Sequence, residues 1–533
     1  MSSHACALST GTIAVASRRA RAPAPRRARA ISITRAASAS PPETTSTSPA
    51  GARDRAPYAG PPRVVILGGG FGGLYTALKL DALTWPDASK RPIVTLIDRA
   101  ERFVFKPMLY ELVNETMSDW EVAPTFEDLL KPTAVRYTRG DVSGVIPGDA
   151  LEFKDGTVGS TGGGVVELAS GESVQYDWIV VAVGTATSDA IVPGSKDHAI
   201  PLSTLEDARR LAGGMRDVEA ACESGGSAMK RDVAVIGGGL SGVELAGVVA
   251  ERLKGKATVT LFASEAGIMP GSPPGQRDAA RKTLDAAGVA TRVGARATAV
   301  NEPSDSYAGG VSPAASVTYT EGDGEPTTED YDVVCWAVGQ RVESPESWPF
   351  PRDERTNKIA AEKTLRVTGH ARVFAVGDVA RLSDDSSSDV RTGNDAYVAS
   401  PPPARFDVLP ATAQVAFQQA DYAAWNVWSS LSSRPLLPFK YQHIGDMMVL
   451  GKTDAAVALP VGDATLDGPV AALLRRAAYL YRMPTNEHRA KLATSWLEQG
   501  AEFAAKEGPG ILKSLGVPVP DFLAPNQGPN SRT

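Results

Sequence analysis

One pattern occurs twice in this chain: a short apolar run, a Gly-x-Gly-x-x-Gly turn, then residues suited to a helix. Arg63–Leu67 (RVVIL) leads into Gly68–Gly73 (GGGFGG), and Asp232–Ile236 (DVAVI) leads into Gly237–Gly242 (GGGLSG). In such a turn the first glycine permits the tight bend and the second lets backbone approach a pyrophosphate. The third lets helix close on strand, and the helix N-terminus then faces the phosphates. A helix-compatible run follows each turn, Leu74–Leu83 and Val243–Leu253, and then a second strand, Ile93–Ile97 and Ala257–Phe262. Two β-turn-α-β units predict two doubly wound parallel sheets. The turns start 169 residues apart, so the repeat is one of whole domains and not of a solenoid.

The two copies differ in their acids. Asp98 closes the strand after the first turn, 25 residues past Gly73, where a carboxylate can accept hydrogen bonds from an adenosine ribose. The equivalent place after the second turn holds Ala263, with Glu265 two residues on. A carboxylate there would repel the 2′-phosphate of NADP, so its absence predicts tolerance of NADPH. The alternative is that Glu265 does the work and NADH is preferred. Glu244, in the first turn of the second helix, reads either as a partner of the helix dipole or as a residue near the nicotinamide or a proton path.

Two further segments resemble each other, Tyr176–Gly184 (YDWIVVAVG) and Tyr331–Gly339 (YDVVCWAVG); each follows its glycine turn by about 100 residues and ends in Val-Gly. Val373–Asp378 (VFAVGD) is a late strand ending in Gly-Asp, where the acid can accept from a flavin ribityl chain. Together these predict an α/β chain with two Rossmann-like dinucleotide-binding domains, the FAD domain split in sequence by an inserted NAD(P) domain. The expected boundaries are 61–205 and 351–433 for the two FAD parts and 206–350 for NAD(P), with 434–533 as a C-terminal membrane-association and dimerisation region. Gly-, Ser- and Pro-rich stretches at 156–164, 303–313 and 383–405 read as exposed insertions.

The three cysteines, Cys6, Cys222 and Cys335, are far apart, which argues against a redox-active pair and against a Cys-ligated metal. Electrons would leave the flavin for something other than a protein disulfide. Gln414 and Gln418, in Leu409–Gln419 just after the Gly-Asp strand, are spaced i, i+4 and share a helix face. Neutral amides there can hydrogen-bond quinone carbonyls. Such a pair on a helix is more often solvated, and its place just after the Gly-Asp strand is what favours the functional reading.

Residues 1–55 hold nine Arg against only Glu43 and Asp54, so the net charge of −6 conceals a body of −13. An acidic body argues against nucleic acid as a partner. The Arg- and Ser-rich, acid-poor start reads as an organelle transit peptide, with a chloroplast address favoured and the mitochondrion as the second destination. No apolar run reaches the ~18 residues of a membrane span. In Pro469–Met483, Val470, Leu473, Leu474, Ala477 and Tyr481 share one face beside Arg475, Arg476 and Arg482; after Pro484 a second helix carries Leu492, Trp496 and Phe503. Basic residues flanking Leu, Tyr and Trp suit an interfacial helix pair on a membrane, the alternative being helices buried on the protein or in a dimer.

The strings PRVVILGGGFGGLYTAL, ERFVFKPMLYELV, VAVIGGGLSGVELAG, VFAVGD, ATAQVAFQQAD, RPLLPF and YLYRMPTNEHR, spread over about residues 62–496, together resemble the type II (alternative) NAD(P)H:quinone dehydrogenases, closest to the plant C-type branch. The resemblance implies non-covalent FAD on Gly68, Gly70, Phe71, Gly72, Gly73, Asp98, Lys106, Gly184, Gly377, Asp378 and Ala416. It implies NAD(P)H as co-substrate on Gly237, Gly239, Ser241, Gly242, Glu244 and Gly339, and a prenylquinone near Gln414 and Gln418, with Glu244 also in a catalytic role. It further implies a peripheral enzyme that pumps no protons, a homodimer, and a place on the plastoglobule or thylakoid surface. Two other readings compete: a flavoprotein reductase serving ferredoxin or another soluble acceptor, and a catalytically idle NAD(P)-sensing lipid-body scaffold.

Overall fold

The computed structural model describes residues 60–499 apart from 149–150, 153–156, 160–162, 189, 225–230, 305–313, 384–396, 399–408 and 461–463. The expected transit segment, most of the 383–405 insertion, Phe503 and the C-terminal tail lie outside the described residues.

Each glycine turn opens a five-stranded parallel sheet. In the first, Arg63–Leu67 sits between Ile93–Asp98 and Trp178–Val181; Arg136–Arg139 and Val373–Ala375 take the two edges. In the second, Arg231–Ile236 sits between Ala257–Ala263 and Val333–Trp336, with Ala290–Val293 and Ile200–Pro201 at the edges. The recurring YD…VG segments therefore hold equivalent places, each beside the strand that leads into its glycine turn. Val373–Ala375 joins the first sheet although the whole second sheet intervenes in sequence.

Strands this apolar are buried on both faces. Val64 and Ile66 pack inward with Leu74 and Leu80 of the following helix, while Val65 and Leu67 meet Val145, Val166 and Tyr176. The second unit repeats the scheme: Val233 and Val235 face inward, and Ala234 and Ile236 meet Val300, Val317 and Tyr319. A three-stranded antiparallel sheet thus covers the outer face of each parallel sheet, drawn from residues 142–176 in one unit and 295–331 in the other. The duplication extends to a charge pair at the foot of each sheet. Asp177 accepts from the Arg63 backbone N–H at 2.8 Å and its Nε at 3.0 Å. Asp332 accepts from the Asp232 N–H at 3.0 Å and Arg231 Nη1 at 3.2 Å.

The helices start closer to the turns than the sequence suggests, at Phe71 and Leu240, because glycines are tolerated in a first helical turn whose later residues pack. Ala413–Leu431 forms a long helix lying against Phe71–Ala82. The C-terminal part is a three-stranded antiparallel sheet, Asp446–Val449, Ala455–Ala458 and Thr465–Asp467, followed by the helix Gly468–Arg482 and a second one over 486–499. Among the described residues no helix is long and apolar enough to cross a membrane.

The two C-terminal helices depart from the expected two-helix lipid face. On Gly468–Arg482, Val470, Leu473 and Tyr481 are 70%, 71% and 70% exposed, as an interfacial face requires. Arg475, expected beside that face, is buried instead. On the second helix Leu492 is fully buried and Trp496 packs against the core, so that side is spent within the protein.

Candidate active site: a cleft between the two glycine turns

Both turns solve the same steric problem. Gly68 and Gly237 have φ of +93° and +128°, a region that L side chains rarely adopt. A Cβ on Gly73 would stand 1.8 Å from the Gly68 carbonyl oxygen, and one on Gly242 would stand 1.8 Å from that of Gly237. At the middle glycines, Gly70 and Gly239, a Cβ would meet nothing within 4 Å. Open space at that position is what the approach of a phosphate needs, so both turns fit a dinucleotide.

A cleft of about 1040 Å³ runs between the units, at the upper end of what one small ligand fills. From the first unit it is lined by Gly68, Gly70, Phe71, Gly72, Asp98, Lys106 and Gly184, and from the late Gly-Asp turn by Gly377 and Asp378. The second unit contributes Ser241, Glu244 and Gly339; the long helix adds Gln414 and Ala416. Gly73, Gly237, Gly239, Gly242 and Gln418 do not line it. Gly73 and Gly242 are packed against their own turns. The segments after Gly184 and Gly339 pair with each other, Thr185–Thr187 antiparallel to Gln340–Val342, and this brings the two Val-Gly turns to one place.

Charge in the cleft is arranged by burial. Asp98 accepts the Gly69 N–H at 2.5 Å and the Ala100 N–H at 2.7 Å, yet desolvation raises its pKa above the usual carboxylate range. Lys106 donates to the Thr185 carbonyl at 3.3 Å; desolvation lowers its pKa, and Asp378 and Glu343 oppose the shift. Thr185 Oγ1 donates to Asp378 at 3.3 Å. Glu244 is buried, accepts the Val449 N–H at 3.0 Å, and has its pKa raised by desolvation to about 7. The helix begins at Leu240 and holds no acid in its first turn, so Glu244 lies one turn further in than expected, with its buried carboxyl on the Val449 N–H.

The glutamine pair does share a face, but that face grips a loop. Gln414 donates from Nε2 to the Gly445 carbonyl at 2.9 Å, and its Oε1 accepts from the Tyr441 hydroxyl at 2.6 Å and the Ile444 N–H at 3.1 Å. Gln418 donates to the Gln442 carbonyl at 2.8 Å and accepts the Gln442 N–H at 3.0 Å. Gln414 reaches the cleft wall; Gln418 stands outside it with both ends of its amide engaged.

Sequence reading missed several residues. Gln419, one position on, accepts the Gly377 N–H at 2.6 Å and so fixes the Gly-Asp turn. Tyr110 and Tyr479 line the cleft, and Arg475 forms a buried pair with Glu111, Nη1 to Oε1 at 2.6 Å. These come from segments more than 360 residues apart, and no spacing rule connects them. Neither described cysteine, Cys222 or Cys335, lines the cleft.

Comparison with known proteins agrees with this geometry. Residues 62–420 match the family model of the pyridine nucleotide-disulphide oxidoreductases. The chain is 39% identical to the alternative NAD(P)H-ubiquinone oxidoreductase C1, chloroplastic/mitochondrial, of Arabidopsis thaliana, over 83% of this chain and 81% of that protein. It is 36% identical to the demethylphylloquinone reductase NdbB of Synechocystis, over 82% and 96%. Among solved structures it superposes on NDH2 from Plasmodium falciparum in complex with NADH with a TM-score of 0.65, covering 82% of this chain and 98% of that one at 16% identity, a likeness of fold. With two nucleotide-shaped turns on one cleft and no described cysteine in it, the chain belongs to the pyridine nucleotide-disulphide oxidoreductases and, within them, to the type II NAD(P)H:quinone oxidoreductases.

Proposed function

We propose that this protein oxidises NAD(P)H with a non-covalent FAD and reduces a prenylquinone at the far end of the same cleft. The observation that carries the reading is the shared cleft. Gly70 and Asp98 open onto it from one unit, Ser241 and Glu244 from the other, and no described cysteine stands there to take electrons. The residues fit FAD on the first unit, with its pyrophosphate at the Gly68–Gly73 turn, a ribose at Asp98, and Gly377–Asp378 and Lys106 toward the isoalloxazine. They fit the nicotinamide nucleotide at Gly237–Gly242, with Gly339 and Glu244 toward the reacting ring. The unit built on the second sheet, from Ile200–Pro201 to Val333–Trp336, then forms an NAD(P) domain inserted into an FAD domain. When bound, the flavin supplies the two-electron chemistry between hydride donor and quinone. The protein orients both partners and keeps charge and water in chosen places.

The quinone end is the apolar one. Phe417, Ile444, Met447, Ala478 and Tyr479 wall it, and Gln414 holds the 441–445 loop that forms part of the wall. The helix Gly468–Arg482 supplies Ala478, Tyr479 and Arg482 to the cleft while Val470, Leu473 and Tyr481 remain exposed on it. We infer that this outer face rests on a lipid surface and that a lipid-dissolved quinone enters beside it. A thylakoid or plastoglobule surface suits that reading, as does an organelle address in residues 1–55. The relatives' names give ubiquinone and demethylphylloquinone as acceptors; ubiquinone, a naphthoquinone precursor of phylloquinone and plastoquinone are the candidate prenylquinones.

The test is anaerobic. NADPH is mixed with the flavin-loaded protein, absorbance is followed, and a plastoquinone analogue is then added in detergent. Bleaching with fast recovery is expected. Bleaching without recovery would overturn the acceptor. Liposome flotation should fail for the doubly substituted Leu473→Glu, Tyr481→Glu protein; unchanged flotation would overturn the lipid-facing role of this helix.

A further inference from the structure

One wall of the cleft is a short stretch of chain: Phe105, Lys106, Pro107, Leu109 and Tyr110 all line it. Its helical pieces, Lys106–Met108 and Leu109–Val113, are about one turn each, too short to hold their shape alone. The restraint comes from a distant part of the chain, the helix Gly468–Arg482, whose other face exposes Val470, Leu473 and Tyr481.

Arg475 is the joint. Its Nη1 donates to Glu111 Oε1 at 2.6 Å and its Nη2 to the Pro107 carbonyl at 2.8 Å. Its guanidinium lies 4.6 Å from the centroid of the Tyr479 ring, and that ring packs on Phe105 with centroids 5.3 Å apart. The Arg475 and Glu111 side chains are 4% and 8% exposed. Beside the pair is a cavity of about 10 Å³, room for one water, and Tyr110 stands between it and the cleft. Solvent therefore does little for these charges, and the protein must satisfy them. A guanidinium is planar, with its donors in a fixed fork, so it sets Glu111 and Pro107 in one mutual geometry. Lys106, between Phe105 and Pro107, then reaches the Thr185 carbonyl at 3.3 Å. Stability alone does not account for such a pair. Taking two charges out of water costs about what their attraction returns, and an apolar pair of similar volume often does as well or better. An apolar pair has no donor for the Pro107 carbonyl.

We propose that Arg475 is a positioning residue of the flavin site: through Pro107 and Glu111 it sets where Lys106 stands in the cleft. The helix with the exposed apolar face is thereby also a part of the cofactor site. This rests on the FAD placement proposed above for the first unit. Arg475 does not itself line the cleft, so it acts on the cofactor only through residues 105–111.

The test uses the full chain and separates position from stability. Arg475→Met alone strands the Glu111 charge and should lower Tm whatever the role of the arginine. The paired variant Arg475→Met, Glu111→Leu removes both charges and is expected to regain the parent Tm by calorimetry. Arg475→Lys keeps the charge and loses the fork. In the paired variant and in Arg475→Lys the Kd for FAD, from fluorescence titration, should rise about tenfold. The midpoint potential of the bound flavin should shift in both, because Lys106 is displaced. In flavin-free protein, amide hydrogen exchange over residues 105–111 should speed up in the paired variant while the rest of the chain keeps the parent rate. Parent values of Kd, potential and exchange in a paired variant with parent Tm would reduce Arg475 to a structural ion pair and overturn the assignment. If the paired variant fails to fold, Arg475→Lys decides by the same readouts. If the parent binds no FAD, the cofactor placement falls, and the exchange of residues 105–111 still reports on Arg475 by itself.

Discussion

The two glycine turns are near copies in backbone and opposites in what surrounds them. At the first, Asp98 accepts the N–H of Gly69 and lines the cleft. At the second, the same position is Ala263, whose Cβ lies 2.4 Å from where a Cβ on Gly238 would be. Two residues past the third glycine stands Tyr75 in one copy and Glu244 in the other. Both fasten the C-terminal segment: the Tyr75 hydroxyl donates to the Arg482 carbonyl, and Glu244 accepts the Val449 N–H. The steric part of the motif is therefore fixed by the need to bend and pack, and the chemical part is free to diverge. On the function proposed above, one copy holds the resident cofactor and the other is a docking place with a titrating acid beside it.

Substitution at the third glycine should separate the two roles most sharply. Gly73→Ala forces a Cβ against the Gly68 carbonyl, an overpacking cost of about 1–3 kcal/mol at the cofactor turn. That protein is expected to purify without flavin. Gly242→Ala should keep its yellow colour and lose reduction by NADPH. Loss of the same function in both, read by absorbance and stopped flow, would erase the distinction between the turns.

Glu244→Gln comes next and carries a pH signature. The folded pKa is about 7 against an ordinary 4.5, so between those values the folded protein holds a proton that the unfolded chain lacks. Stability conferred by this group is highest at low pH, falls as pH rises through that window, and the cost is complete above 7, up to about 3 kcal/mol. The glutamine variant should therefore gain Tm over the parent at pH 8 and little at pH 5, by calorimetry. An equal change at both pH values would mean that the carboxyl is not the titrating group.

A smaller effect is expected from restoring the missing acid. In Ala263→Asp the new carboxylate can accept the Gly238 N–H as Asp98 accepts that of Gly69. KM for NADPH should rise about tenfold, some 1.4 kcal/mol, with KM for NADH not raised. Equal shifts for both nucleotides would show that this position does not sense the 2′-phosphate. The smallest change is Tyr75→Phe, which removes one half-buried hydrogen bond, about 1 kcal/mol. It should lower Tm slightly and leave flavin content untouched.

Much of the framework is legible in the sequence. The paired turns, the paired YD…VG strands and the late Gly-Asp each rest on local rules, since a bend, an apolar strand and a strand-end acid depend on neighbours in sequence. The glutamines illustrate the limit. Their spacing places Gln414 and Gln418 on one helix face, but it cannot say that residues 441–445 cover that face and engage both amides. Arg475 illustrates it more strongly. Its position beside an apolar stripe suggests a lipid-facing cation; in the fold its guanidinium is bound to Glu111, a residue 364 positions earlier.

What the sequence alone determined is therefore the duplicated framework and the chemistry of its turns: where glycine is compulsory, where an acid is present and where it is missing. Only the tertiary structure decided which side chains share the cleft, that Glu244 is buried with a pKa of about 7, and that Tyr110 separates that cleft from a water-sized cavity. The reason is physical. Steric and hydrogen-bonding demands of a turn are settled within a few residues, whereas desolvation and charge pairing depend on everything packed nearby, however distant in the chain.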